Sequence, residues 1–292
     1  MADLSVNIAG IEFKNPIIAA SGTIGFGHEY SEFYPLSVFG GISCKGTTLK
    51  ERPGNPPPRI AETPMGMLNA VGLQNPGVEH FIKYDLPWLK QQDTVAIANV
   101  AGSTAEDYCK MAEILSDTDI DMIELNISCP NVKEGGVQFG TSCESVAAIT
   151  KAVRAHCKKP LIIKLSPNVS DIASIAMAAE SEGADAVSLI NTRKPIIANI
   201  TGGMSGPAVF PVAVRMVWQV KKAVKIPVIG MGGITTWKDA VEMMMAGADA
   251  MQIGTALFTD PYSPVKIAEG LNAYLDKNGM KSVAELTGTV IC

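Results

Sequence analysis

Cys129 stands before a proline in the run NISCPN (126–131), and Lys133-Glu134-Gly135-Gly136 follows at once. An apolar, strand-like segment, Met122 to Leu125, leads into it. The loop beyond carries too little apolar side chain to pack and enough glycine to move. A thiol held at the mouth of a rigid element, beneath a mobile flap, suits proton transfer or nucleophilic attack. On these residues alone both chemistries stay open.

Two further groups could share that site. Lys45, Asn99, Asn126 with Ser128, Lys164, and Asn191 with Thr192 end successive apolar runs. One such asparagine reads as a satisfied turn residue. Two lysines and three asparagines at five strand ends read together as a donor-rich pocket for an anionic, amide-bearing ligand. A lysine inside LIIKLS is costly to bury without an acceptor, and Glu124 shares strand parity with Asn126 and is placed to pair with Lys164. The glycines of Gly230-Met231-Gly232-Gly233 and the pair Gly254-Thr255 let backbone N–H groups approach a phosphate. Thr235 or Thr236 then caps the helical run TTWKDAVEMMMAGA, where Met243 to Met245 read as helix core.

Those residues need a scaffold, and the apolar runs supply one. Strand-like segments recur at Ile17–Ala20, Gly41–Lys45, Val95–Val100, Met122–Ser128, Leu161–Ser166, Ala186–Thr192, Pro227–Gly232 and Ala250–Thr255. Helical periods follow most of them, at Ala105–Leu115, Cys143–Cys157, Asp171–Ser181, Pro211–Ala223, Thr236–Ala246 and Pro264–Asn278. Alternating units of this kind predict an α/β fold with a parallel sheet. Eight of them predict a closed (β/α)8 TIM barrel, one domain over 1–292, with phosphate sites after strands seven and eight. LSVNIAGIEFKNP reads as an N-terminal hairpin closing the barrel's bottom. Two connections are overlong, Thr47 to about Leu89 and Arg193 to Pro211. Both follow a strand, so both belong on the C-terminal face as lids or binding loops.

Composition removes several classes. Lys and Arg number 24 against 29 Asp and Glu, a formal charge of −5 with no basic tract, which argues against nucleic acid as partner. The N-terminus does not read as a secretion signal, and no apolar run approaches a membrane span; a cytoplasmic protein is the expectation. The cysteines at 44, 109, 129, 143, 157 and 292 show no Cys-x-x-Cys pair, so neither a disulfide framework nor an iron–sulfur or zinc site is expected from this chain. Cys44, Cys143 and Cys157 suit packing better than chemistry. His28, His80 and His156 are not expected to cluster, so no metal site is expected.

The chain resembles the dihydroorotate dehydrogenases, in particular the catalytic subunit of the NAD-linked class 1B enzymes. The resemblance rests on NPIIAASGTIGFG (15–27), CKGTT (44–48), PPPRIAETPMGMLNAVGLQNPG (56–77), IANVAGS (97–103), IELNISCPNVKEGG (123–136), KLSPNV (164–169), SLINT (188–192), TGGMSGPA (201–208), IGMGGI (229–234) and IGTALF (253–258). It implies an FMN-bearing barrel that oxidises dihydroorotate to orotate in pyrimidine biosynthesis. It makes Cys129 the base for the C5 proton, with hydride leaving C6 for the flavin. Lys45, Asn69, Ala70, Val71, Gly72, Leu73, Asn126, Asn191 and Thr192 would hold the substrate. Ser21, Lys45, Gly46, Asn99, Asn126, Lys164, Ile190 and Gly206 would line FMN, and Gly232, Gly233, Gly254 and Thr255 would take its phosphate. Lys164 would also stabilise the negative charge that develops on reduction.

The same resemblance implies a partner subunit carrying FAD and a [2Fe-2S] cluster, in a heterotetramer of two catalytic and two electron-transfer subunits. The KEGG stretch distinguishes the chain from the fumarate-linked class 1A enzymes, which share the cysteine base. Class 2 enzymes, which carry an N-terminal helical segment and a serine base, resemble the chain less, and neither feature is expected here. A fumarate-linked enzyme is one rival reading, and a flavin-free phosphate-binding barrel isomerase or synthase is another. One departure stands out. Family members carry a further stretch after the Asn-Thr pair, whereas here Thr192 runs directly into Arg193. Either that loop is short or residues are missing from the chain.

Overall fold

The computed structural model describes residues 2–127, 139–192, 196–197 and 200–290. The chain opens on the expected hairpin. Strand β1 (Val6–Ile8) pairs antiparallel with β2 (Ile11–Phe13). The turn places Ala9 and Gly10 at φ 53° and 86°, as a two-residue primed turn requires.

The remaining strands divide between a barrel and a strap. β3 (Ile17–Ala19) and β4 (Gly41–Ser43) enter the barrel, and β5 (Ile60–Thr63) and β6 (Gly66–Asn69) leave it as an antiparallel hairpin. β7 (Val95–Val100), β8 (Met122–Asn126), β9 (Leu161–Lys164) and β10 (Ala186–Leu189) return to it. β11 (Ile196–Ile197) and β12 (Ile200–Thr201) form a short antiparallel pair, and β13 (Gly203–Ser205) joins β6. β14 (Val228–Met231) and β15 (Ala250–Ile253) complete the barrel, which closes in the order β3-β4-β7-β8-β9-β10-β14-β15. All eight expected strands are its staves. Seven end before the runs read from sequence, because residues such as Lys45 and Asn191 leave the ladder. Their backbone N–H groups donate to Gly25 and Leu165 carbonyls instead, at 2.9 and 3.2 Å.

The period-2 alternation of strands sorts the barrel interior into layers. Ile18, Ile97, Met122, Ile162, Ala186, Ile229 and Ala250 form the lowest, and the hairpin's Ile8 and Phe13 plug it from below. Gly41 belongs to this arrangement, since a Cβ there would lie 2.6 Å from the Phe13 ring. Two residues further along the staves, the next layer is polar: Ser43, Asn99, Glu124, Lys164, Ser188 and Gln252, all buried. The third layer, including Lys45, Asn126, Ile190 and Gly254, opens onto a cavity.

Helices at Ala105–Ser116, Cys143–Arg154, Ile172–Ser181, Phe210–Ala223, Trp237–Met245 and Ser263–Lys277 cover the outside. Their starts are written in the sequence. Thr104 with Asp107, Ser142 with Ser145, and Thr236 with Asp239 form reciprocal capping boxes, satisfying otherwise orphaned N–H groups. Thr236 is therefore the cap, not Thr235. Met243 and Met244 are wholly buried and Met245 partly so. No described helix is long and apolar enough to cross a membrane.

Two expectations need correcting. Cys44 and Cys157 are buried as expected, but Cys143 is exposed, because the first turn of its helix faces outward. The histidines are not all apart. His28 Nε2 and His80 Nδ1 each lie 3.2 Å from a different oxygen of Asp85. A π-helical stretch, Phe81–Asp85, brings that carboxylate between them, a local winding with no signature in sequence periodicity.

Candidate active site

Above the polar layer lies a cavity of about 260 Å³ at the C-terminal end of the staves. Its floor is built around Glu124, which is fully buried. Glu124 Oε2 accepts from Ser43 Oγ at 2.7 Å and Asn99 Nδ2 at 2.6 Å, and Oε1 accepts from Ser188 Oγ at 2.8 Å and Gln252 Nε2 at 2.6 Å. Lys164 Nζ stands 3.6 Å from Oε2. Burial pushes this carboxyl's pKa up, but the Lys164 charge and the bonds from Ser43, Ser188 and Gln252 outweigh it, so Glu124 sits below the usual carboxylate range.

An amide chain rises from this floor along the wall. Asn126 Nδ2 donates to Asn99 Oδ1 at 3.4 Å, and Asn191 Nδ2 donates to Asn126 Oδ1 at 3.2 Å. The Thr192 backbone N–H donates to Asn191 Oδ1 at 2.7 Å. Lys45 is half-buried across the cavity. Burial, then the Arg59 charge, pull its pKa below the ordinary lysine value. Among the described residues no carboxylate pairs with Lys45 or relieves that cost. The site therefore offers two ammonium groups and a row of amides.

The two overlong connections meet over this cavity. β6 pairs with β5 on one side and β13 on the other, so the loops after the second and sixth staves share one three-stranded strap. Thr255 Oγ1 donates to Ser205 Oγ at 2.8 Å and ties the strap to the last stave. Backbone approach is close here. A Cβ on Gly233 (φ 75°) would lie 2.7 Å from the Gly206 carbonyl oxygen. Gly232, at φ 123°, adjoins it.

Every described residue expected at the site lines the cavity except Ala70. Ala70 faces the strap's own ladder, its N–H donating to Arg59 O at 2.8 Å and its carbonyl accepting from Asn55 Nδ2 at 2.7 Å. Cys129 lies outside the described residues, as do Ser128 and the KEGG run. The structure adds Ile60, Met67, Ser205 and Gln252 to the lining. Gln252 had a signal, being the polar interruption of the apolar run AMQIG, in step with Gly254. The strap residues had none.

Residues 3–275 match the family described as Dihydroorotate dehydrogenase. The chain belongs to the dihydroorotate dehydrogenase family. It is 58% identical over 301 aligned positions to a Bacteroides thetaiotaomicron protein named "Dihydroorotate dehydrogenase B (NAD(+)), catalytic subunit", covering 99% of each chain. Proteins of the same name from Phocaeicola vulgatus and Alkaliphilus oremlandii are 58% and 54% identical, over 99% and 98% of each chain. The 301 positions exceed the 292 residues here, so the first relative carries residues that this chain lacks.

FMN is the cofactor that the family implies, and the residues fit it. Gln252 Oε1 is buried, borders the cavity and has no partner among the described residues. Gly46 leaves room where a Cβ would crowd Asn99 Oδ1 at 3.0 Å. Two cations, several amides and a glycine corner match a phosphate-bearing, amide-rich ring.

Proposed function

We propose that this chain oxidises (S)-dihydroorotate to orotate in pyrimidine biosynthesis, as the FMN-bearing catalytic subunit of an NAD-linked enzyme. The observation that carries this is the cavity itself: Lys45, Lys164 and three linked asparagines above the staves of a chain end-to-end similar to proteins of that name. FMN, when bound, supplies the hydride acceptor. Lys45, Asn126 and Asn191 would hold the substrate's carboxylate and ring amides, with Asn69, Val71, Gly72, Leu73 and Thr192 closing over it. Gly232, Gly233, Gly254 and Thr255 would receive the phosphate, and Ser21, Gly46, Asn99, Lys164, Ile190 and Gly206 would line the ring. Cys129 would take the C5 proton while hydride leaves C6; together these remove two electrons and two protons and form the ring double bond. Ala70 would act by fixing the course of that segment, through its backbone bonds to Arg59 and Asn55.

The relatives' name calls each of them a catalytic subunit, which supports a separate electron-transfer partner. We assign to it FAD and a [2Fe-2S] cluster, in a cytoplasmic heterotetramer of two subunits of each kind, with 1–292 as one barrel domain. The test is to purify the chain alone and with that partner. Flavin absorbance should be present in both, and NAD+ reduction by dihydroorotate only with the partner. NAD+ reduction by the lone chain would overturn the subunit assignment, fumarate reduction by it would favour the fumarate-linked rival, and a colourless protein would favour the flavin-free barrel. Cys129→Ala should keep FMN and sharply slow its reduction by dihydroorotate. With a free thiol pKa of about 8.5, that reduction should quicken as pH rises through the thiol's ionisation, and a flat profile would remove Cys129 as the base.

A further inference from the structure

The eight barrel strands carry one carboxylate, Glu124, and one cation, Lys164. Their arrangement is unequal. Glu124 already receives four hydrogen bonds from neutral donors, 2.6 to 2.8 Å long. Lys164 makes no hydrogen bond among the described residues, although only 4% of it is exposed. At 3.6 Å it feels the carboxylate's charge without spending an N–H on it. Lys164 lines the cavity, so its unused N–H groups are within reach of an acceptor that enters there. An anion is thus fixed beneath the cavity, held rigidly by side chains from β4, β7, β10 and β15.

We propose that Glu124 is a positioning residue whose charge holds the Lys164 ammonium in place and aimed into the cavity, and thereby sets the reduction potential of the bound flavin. This role rests on the flavin reading above, and Glu124 plays it from one layer beneath the cavity. Reduction adds negative charge to the ring, and a cation facing it favours the reduced form. Without Glu124 no described carboxylate holds that cation in place beneath the ring. Glu124 itself never touches the ligand, because Asn99, Lys164 and Gln252 stand between it and the cavity.

The test compares midpoint potentials of bound FMN in the wild type, Glu124→Gln, Lys164→Gln and the double variant. Glu124→Gln is nearly isosteric, and Gln252 can turn its unpartnered Oε1 to accept from the new amide. The expected result is flavin retained, with the ratio of affinities for reduced over oxidised FMN falling at least tenfold. For a two-electron couple that is a potential about 30 mV lower. In the Lys164→Gln background the same change at Glu124 should alter the ratio less than threefold. An unmoved or raised potential in Glu124→Gln overturns the proposal, as does a shift that persists in full without Lys164. Should Glu124→Gln not fold, Glu124→Asp, which keeps the charge but draws it back from Lys164, should give a smaller shift of the same sign; no shift there overturns it equally. A wild-type chain that binds no flavin overturns the flavin reading and this inference together. A flavin-bound wild type with unmoved variants overturns this inference alone.

Discussion

Gly66 turns the hairpin between β5 and β6, and its missing side chain lets the strap close. A Cβ there would sit 2.0 Å from the Ser205 carbonyl oxygen and 3.3 Å from Gly206 Cα. Carbon contacts are comfortable from about 3.5 Å, so Gly66→Ala must move two backbones apart by more than an ångström. No flexible side chain is available to give way. Overpacking costs about 1–3 kcal/mol, and a collision between backbones belongs at the upper end of that range. The barrel ladder does not pass through the strap, so the hairpin can swing outward without unfolding the barrel. Ligand binding must then draw it back, since Met67, Asn69, Ser205 and Gly206 all line the cavity. A penalty of about 2–3 kcal/mol appears as a dissociation constant roughly 30- to 150-fold weaker, with little change in thermal midpoint. Gly10→Ala is the control. Gly10 has φ 86° and nothing within 4 Å of a built Cβ, so only the left-handed conformation costs, about 1–2 kcal/mol. It should lower the melting temperature by a few degrees and leave affinity alone. Titrations of FMN and orotate beside calorimetry separate the two effects. Wild-type affinity in Gly66→Ala, or equal weakening by Gly10→Ala, would refute the reasoning.

Phe13→Ala removes the ring that fills the barrel's bottom and should cost about 3–5 kcal/mol, on the order of 10 °C in melting temperature. Flavin affinity should hold at temperatures where the variant is folded, because the polar layer lies between that ring and the cavity; a large affinity loss in calorimetric titration would show that the layers are not independent. Lys45 has its pKa depressed by burial and by Arg59. Between that value and the free-lysine pKa of about 10.4 the unfolded chain holds more protons, so the unliganded protein should gain stability as pH rises through the window. An anionic ligand restores the charge, so orotate affinity should fall through the same window with proton uptake on binding. Pairing calorimetric titrations in buffers of different ionisation enthalpy with melting curves tests both signs, and pH-independent orotate binding would remove Lys45 from the carboxylate site.

The barrel was legible because each stave is an apolar run that must be buried on both faces, and each helix start carries its own cap. The strap was not. β5, β6 and β13 read IAET, GMLN and GMS, too short for a period to emerge, and their pairing joins residues 67–69 to 203–205. Only the unusual length of both connections pointed to them. For the site, lysines and asparagines at strand ends were readable because a charge or amide in an apolar run needs a partner. Ala70 lies off the cavity lining, because a motif gives the segment and not the direction of each residue within it. The Glu124–Lys164 pairing followed from strand parity. Its other partners, Ser43, Ser188 and Gln252, carried the same signal, each interrupting an apolar stave at an inward position. What one stave could not show is that these interruptions fall at one height, which depends on barrel register.

That common height bears on why the layer exists. A buried ion pair rarely stabilises a fold more than apolar packing of the same volume would, and the lowest layer shows that this barrel can fill its interior with Ile, Met and Ala. The polar layer therefore has to be explained by what lies above it. Its members leave two open ends, the Lys164 ammonium and Gln252 Oε1, and both border the cavity. Every other described polar side-chain atom in the layer points inward to Glu124 or, through Asn99 Oδ1, to Asn126. A layer serving only the fold would close on itself. This one closes everywhere except toward the ligand, so the stability it forgoes is spent on one donor and one acceptor fixed in place before anything binds.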